Sequence, residues 1–151
     1  MAPVPRFRRA GPADAAAIRT LTRAAYGPWV PLIGREPLPM ATDFDQAVAS
    51  DLIDLLEQDA EFLALIQMKV RVGHLWLDNV AVHPDHQGQG LGHRLIAHAE
   101  AVARDLGLPE LRLLTNAAFA ANLRFYEGLG FHETAREDFR GGVTVHYAKL
   151  L

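Results

Sequence analysis

The chain contains no cysteine, which excludes disulfide bonds, thiolate metal sites, iron–sulfur clusters and a cysteine nucleophile together and suits a reducing compartment. No apolar run approaches the roughly 20 residues that a membrane span requires, and the N-terminal residues lack the apolar core of a secretion signal. The sequence therefore predicts a cytoplasmic protein with no membrane partner. Charge of one sign does not dominate either, since 15 Lys and Arg stand against 18 Asp and Glu. Arg6, Arg8 and Arg9 read as a solvated strand edge, so no nucleic-acid partner is expected. Repeats of fixed period and low-complexity tracts are also absent. What remains is 151 residues, half of them hydrophobic. That suffices for one domain over 1–151, because a chain of this size buries about 68–70% of the surface its unfolded form exposes.

Residues 7–10 read as a short strand. Gly11-Pro12 then opens a helix to about Ala25, with Ile18, Leu21 and Ala25 on its inner face and Arg19 and Arg23 on its outer face. Prolines 28, 31, 37 and 39 with Gly27 and Gly34 predict a long non-repetitive loop, of a kind usually functional or mobile. A brief second helix fits 43–49. Between Asp51 and Lys69 the apolar residues fit either a helix or two buried strands, and periodicity does not decide between them. The polar break Glu57-Gln58-Asp59 favours strands at about 52–57 and 61–68.

The second half reads more cleanly. A strand over 75–82 is stopped by Pro84. Leu91, Leu95, Ala99, Val102 and Leu106 mark a helix closed by Gly107. Leu111, Leu113 and Thr115 alternate in a strand, and a helix over about 118–127 precedes strands near 131–137 and 144–150. The order is mixed α/β.

The densest chemical signal is His83-Pro84-Asp85-His86-Gln87-Gly88-Gln89-Gly90-Leu91-Gly92, a turn and three alternating glycines that open a helix. Glycines let backbone approach a ligand closely, and first-turn N–H groups carry partial positive charge, so phosphate or pyrophosphate fits there. A tight turn that binds nothing is the alternative. A dinucleotide fingerprint fails, because Gly-x-Gly-x-x-Gly begun at Gly88 ends on His93 and begun at Gly90 ends on Leu95. No Gly-Lys-Ser/Thr triplet exists to make a P-loop. His83, His86 and His93 complete no ligand set, and no metal is expected.

Gln87-Gly88-Gln89-Gly90-Leu91-Gly92 resembles the acetyl-CoA loop of the GCN5-related N-acetyltransferase (GNAT) family: Gln or Arg, two residues, Gly, one residue, Gly or Ala. Asn122-Leu123-Arg124-Phe125-Tyr126-Glu127-Gly128-Leu129-Gly130-Phe131 looks like that family's C-terminal signature, in its order and spacing. The resemblance covers nearly the whole chain, most specifically 74–131. It implies a mixed α/β fold whose central, mostly antiparallel sheet is splayed at the cofactor strand and flanked by helices, and it supplies the strand reading of 52–68. It also implies acetyl-CoA as donor and coenzyme A as product. Cofactor contacts would come from Val80, Ala81 and Val82, from Gln87, Gly88, Gln89, Gly90, Leu91, Gly92 and His93, and from Asn122. The Tyr126 hydroxyl would lie near the thioester sulfur as general acid. A four-residue spacing puts Asn122 and Tyr126 on one helix face and Phe125 and Leu129 on another.

The implied reaction is attack of a neutral amine on the thioester carbonyl, through a tetrahedral intermediate. A backbone N–H near Val82 stabilises its oxyanion if the splayed strand leaves that group unpaired. Asp78 is the candidate base. Strand alternation puts Asp78 and Asn79 on opposite faces unless a bulge intervenes, and the alternatives are a salt-bridge role for Asp78 with water as base. Arg35 is a candidate for holding an acceptor carboxylate, with Trp29 or Met40 as pocket wall; an exposed connector is the alternative. The acceptor is expected to be a primary amine of a small molecule, peptide or protein N-terminus. Two competing readings stand beside this one: a non-catalytic acyl-CoA-binding or sensing domain, and an interaction domain whose glycine turn binds nothing. Exposed sheet edges would suit a homodimer.

Overall fold

The computed structural model describes residues 4–151; residues 1–3 of the expected domain lie outside the described residues. Seven strands are formed by β1 (Arg6–Arg9), β2 (Leu52–Gln58), β3 (Glu61–Arg71), β4 (His74–Val82), β5 (Glu110–Asn116), β6 (His132–Phe139) and β7 (Gly142–Leu150). They make one sheet in the order β1-β2-β3-β4-β5-β7-β6. Every neighbouring pair is antiparallel except β4 and β5. Five α-helices accompany them: α1 (Ala15–Tyr26), α2 (Val30–Ile33), α3 (Phe44–Ser50), α4 (Leu91–Asp105) and α5 (Ala120–Gly128).

The sheet is covered by two separate apolar clusters. One gathers Leu56, Ile66, Leu75 and Leu77 with Leu95, Ile96 and Ala99 of α4 and Tyr126 of α5. The other gathers Ile53, Leu55 and Leu65 with Ile18 and Leu21 of α1 and Phe44 of α3. Coverage on both sides explains why periodicity was silent over 52–68. Leu63 through Met68 are buried without a break, so the two-residue alternation that marks a half-exposed strand is erased. The hairpin closes through Asp59 and Ala60, both left-handed at φ 53° and 63°, as a two-residue turn requires.

The proline-rich segment departs from its expectation. It is built of successive short helical turns at Gly27–Trp29, Val30–Ile33 and Leu38–Ala41, each with proline in its first two positions. Proline lacks the N–H that a first turn leaves unbonded anyway, so it starts such turns at little cost while preventing their fusion into one helix. The other boundaries follow the sequence closely. Asp43 caps α3 by accepting the Gln46 N–H, and Gly107 at φ 71° ends α4.

A buried ion cluster ties the β1 edge to α4. Asp54 of β2 is 4% exposed and accepts from Arg9 Nε at 2.5 Å and from His98 Nε2 at 2.6 Å. The His98 ring stacks on Phe7 at 3.8 Å. Burial alone would push the Asp54 carboxyl up, but the His98 and Arg9 hydrogen bonds outweigh it and hold the carboxyl below its ordinary value. A lowered carboxylate pKa contributes stability above the unfolded value of about 3.9, and that contribution is lost as pH falls through the folded value. Breaking a buried pair costs several kcal/mol, and the solvent access of Arg9 reduces this to about 2 kcal/mol. Asp54→Asn is therefore expected to lower unfolding free energy by about that amount at pH 7, with the difference from the native chain shrinking below pH 4, as urea titrations at both pH values would read.

Candidate functional site

Strands β4 and β5 share only two paired positions, Leu75 with Leu111 and Trp76 with Arg112. Beyond Trp76 they diverge and open a cleft of about 960 Å³, counted with the solvent at its mouth. A bulge lies at the same level: Met68 pairs with Leu77 and Gln67 with Asn79, leaving Asp78 as the extra residue. Such an insertion reverses which face each following side chain takes. Leu77 accordingly joins the α4 cluster, whereas Ala81, an even number of residues on, joins the α1 cluster. Because of the bulge, Asp78 and Asn79 both line the cleft.

The backbone of β4 alternates in the same way. His83 N–H donates to Leu63 O at 2.9 Å, so Ala81 also spends its peptide groups on β3, while Val80 and Val82 turn theirs toward the cleft edge. Side chains meet two of those groups: the Tyr26 hydroxyl donates to Val80 O at 3.1 Å and the Gln87 amide to Val82 O at 3.3 Å. The Val82 N–H is turned the same way. Ala81 needs correction as a cofactor contact. Its side chain packs on the α1 side and its peptide groups face β3, which leaves it nothing to offer on the cleft edge.

Tyr126 and Asn122 reach the cleft from α5. The Tyr126 ring is buried between Phe125 and Phe131, and its hydroxyl has no hydrogen-bond partner among the described residues. Burial, with the Tyr26 phenol nearby, raises its pKa strongly, so the phenol keeps its proton at neutral pH. Burial likewise pushes Tyr26 up to about 12. Asp78 already has partners, since Oδ1 accepts from Trp76 Nε1 at 3.2 Å and Oδ2 lies 3.7 Å from Lys69 Nζ.

The glycine loop stands apart, where β4 passes to α4. Gln87, Gly88, Gln89 and Gly90 are exposed, and Gly88 and Gly90 are both left-handed at φ 78° with open space where a Cβ would sit. No side chain caps the first turn of α4. Its N–H groups, including those of Gly92 and His93, are thus free of a protein cap, and the loop fits a phosphate-bearing group. Leu91 contributes backbone only, because its side chain is in the core. Gly92 has a packing reason as well: a Cβ there would meet Phe125 Cζ at 3.0 Å. Of the three loop histidines, His83 and His86 meet edge-on with ring centroids 5.8 Å apart. His83 also accepts from the Asp85 N–H, His86 meets Glu61, and His93 lies edge-on to Phe125.

Arg35 lines the cleft as expected, but Trp29 and Met40 do not. Met40 is buried, and Trp29 packs behind Phe119, their rings 4.3 Å apart. Tyr26, Phe139, Asn116 and Thr144 also line the cleft without having been singled out in the sequence. A helix-ending tyrosine and residues near a hairpin carry no motif, and only the fold brings them together.

Residues 16–131 match the model of the acetyltransferase (GNAT) family. Over 85 residues, 56% of this chain, the sequence is 36% identical to the [ribosomal protein bS18]-alanine N-acetyltransferase of Escherichia coli K12. The match spans 57% of that relative's length. The solved structure of the E. coli ribosomal-protein-S18-alanine N-acetyltransferase superposes with a TM-score of 0.79 at 23% identity, over 97% of this chain and 94% of that one. The PaiA N-acetyltransferase of Thermoplasma acidophilum, solved with coenzyme A, superposes with a TM-score of 0.81 at 16% identity, over 98% and 99% of the two chains. The matched span, the divided sheet and the glycine loop agree, and the chain belongs to the GNAT acetyltransferase family.

Proposed function

We propose that this chain is a single-domain, cytoplasmic, acetyl-CoA-dependent N-acetyltransferase acting on a primary amine. The observation that carries the reading is the buried Tyr126 ring with its protonated, unpartnered hydroxyl at a cleft between two strands that have separated. Acetyl-CoA supplies a thioester whose acyl carbon can take a new bond from an amine nitrogen as the bond to sulfur breaks.

The residues divide the work. The glycine loop from Gln87 to Gly92 and the first turn of α4 bind the phosphate end through backbone N–H groups. Val80 and Val82 offer backbone on the cleft edge to the amide-bearing arm, and Asn122 adds a side-chain hydrogen bond. The Val82 N–H stabilises negative charge developing on the acyl oxygen. Tyr126 gives its proton to the departing sulfur, so that the coproduct is a neutral thiol. Asp78 holds the incoming ammonium by charge and accepts the proton it must lose before its lone pair is free.

Acetyl-CoA at a hundredfold excess over Kd is expected to raise Tm by about 5–10 °C, with coenzyme A acting similarly and NADH not at all. A shift without turnover on any amine would indicate a binding or sensing domain; no shift would leave the glycine loop as structure. Tyr126→Phe should lower kcat by about 100-fold while leaving the acetyl-CoA-induced shift intact. Asp78→Asn should lower kcat/KM by about 10–100-fold at neutral pH, and unchanged turnover would assign proton removal to water.

A further inference from the structure

The cleft is almost free of charge. Among the described residues lining it, Arg35 is the only cation and Asp78 the only carboxylate. Asp78 faces Lys69 and Trp76, but Arg35 has no carboxylate partner among the described residues. The neighbouring candidate, Glu36, is taken by Arg23, with Nη2 and Oε1 3.0 Å apart. Arg35 is held in place by weaker means: Nη1 donates to Glu36 O at 3.3 Å, and the guanidinium lies over the Phe139 ring at 5.5 Å. The planar fork is thus oriented and half-buried, with most of its donors uncommitted, which suits bidentate capture of a carboxylate.

Position separates this anion site from the glycine loop. Arg35 follows α2, and the adjoining Glu36 pairs with Arg23 of α1, which covers one sheet face, whereas the loop opens α4, which packs on the other face. The walls near Arg35 are apolar, formed by Ile33, Pro37, Leu38, Trp76 and Phe139.

We propose that the acceptor is a free α-amino acid with an apolar side chain, its carboxylate held by Arg35 and its amine directed to Asp78. This rests on the acetyltransferase reading and deepens it, because one cation and one carboxylate in an otherwise uncharged cleft complement a zwitterion. A protein N-terminus brings an amide where the amino acid brings its carboxylate, and would leave Arg35 unpaired.

The test measures coenzyme A release from acetyl-CoA by the full chain with L-methionine, L-phenylalanine, their carboxamides, and a hexapeptide with a free N-terminal alanine. The free acids are expected to exceed their carboxamides in kcat/KM by about 10–100-fold, the worth of a charge-assisted contact. The less basic amine of a carboxamide offers more neutral nucleophile at a given pH, so the comparison is weighted against the proposal. Arg35→Gln should abolish the preference by lowering kcat/KM for the acids alone, and Arg35→Lys should restore part of it. A purely structural Arg35 would instead lower acids and carboxamides together. Equal use of acids and carboxamides, preference for the hexapeptide, or a preference that survives in Arg35→Gln overturns the assignment while leaving acetyl transfer standing. No release with any of these probes also overturns the assignment; acetyl transfer itself falls only if no primary amine, polyamines and lysine side chains included, is turned over.

Discussion

An internal strand ordinarily spends its peptide groups on two neighbours, and β4 stops doing so after Trp76. A buried peptide group without a partner costs about 1–3 kcal/mol, so the divergence of β4 from β5 is a constraint that the surroundings must answer. Part of the answer lies within the chain, where Tyr26 and Gln87 take the carbonyls that β5 leaves. The rest is available to a ligand that can pair like a strand. The bulge at Asp78 belongs to the same economy of backbone, since it turns one carboxylate into the opening while returning Val80 and Val82 to the α4 side.

Keeping two strands apart requires that the elements behind them stay fixed. Polar ties through β7 hold both helices of the α4 side, Lys149 pairing with Glu100 of α4 and the Tyr147 hydroxyl donating to Glu127 of α5 at 3.0 Å. On the opposite face α1 is anchored by its apolar stripe and by Asn79, whose amide donates to Thr22 at 3.1 Å. The Asp54 cluster holds the far edge of the sheet against α4. Fixed helices set the width of the cleft.

Much of this was legible in the sequence, for identifiable reasons. The amphipathic α1 and α4 announced themselves because each buries one face only, and the glycine loop did so because left-handed backbone at Gly88 and Gly90 demands glycine. The apolar pattern over 52–68 was ambiguous because most of that stretch is buried on both faces, a state that apolar patterning cannot distinguish from a buried helix. The turns at 27–41 were hidden by their prolines, which usually mark irregular chain but here begin short helical segments. The bulge at Asp78 has no local signature at all. It arises from pairing with β3, and the side chains that the sequence did not single out at the cleft, Tyr26 and Phe139 among them, are likewise brought there by partners distant in sequence.

The contact between Gly92 and Phe125 joins two tasks that could have been independent. Gly92 lies in the first turn of α4, and Phe125 precedes Tyr126, which lines the cleft. With the two helices touching at a point where no Cβ intervenes, the interval between the α4 turn and the Tyr126 hydroxyl is a property of the protein. Under the proposed roles of those two groups the fold would act as a gauge of length: a donor whose arm is one methylene longer or shorter could still be held by its phosphates, but would present its sulfur to the wrong place.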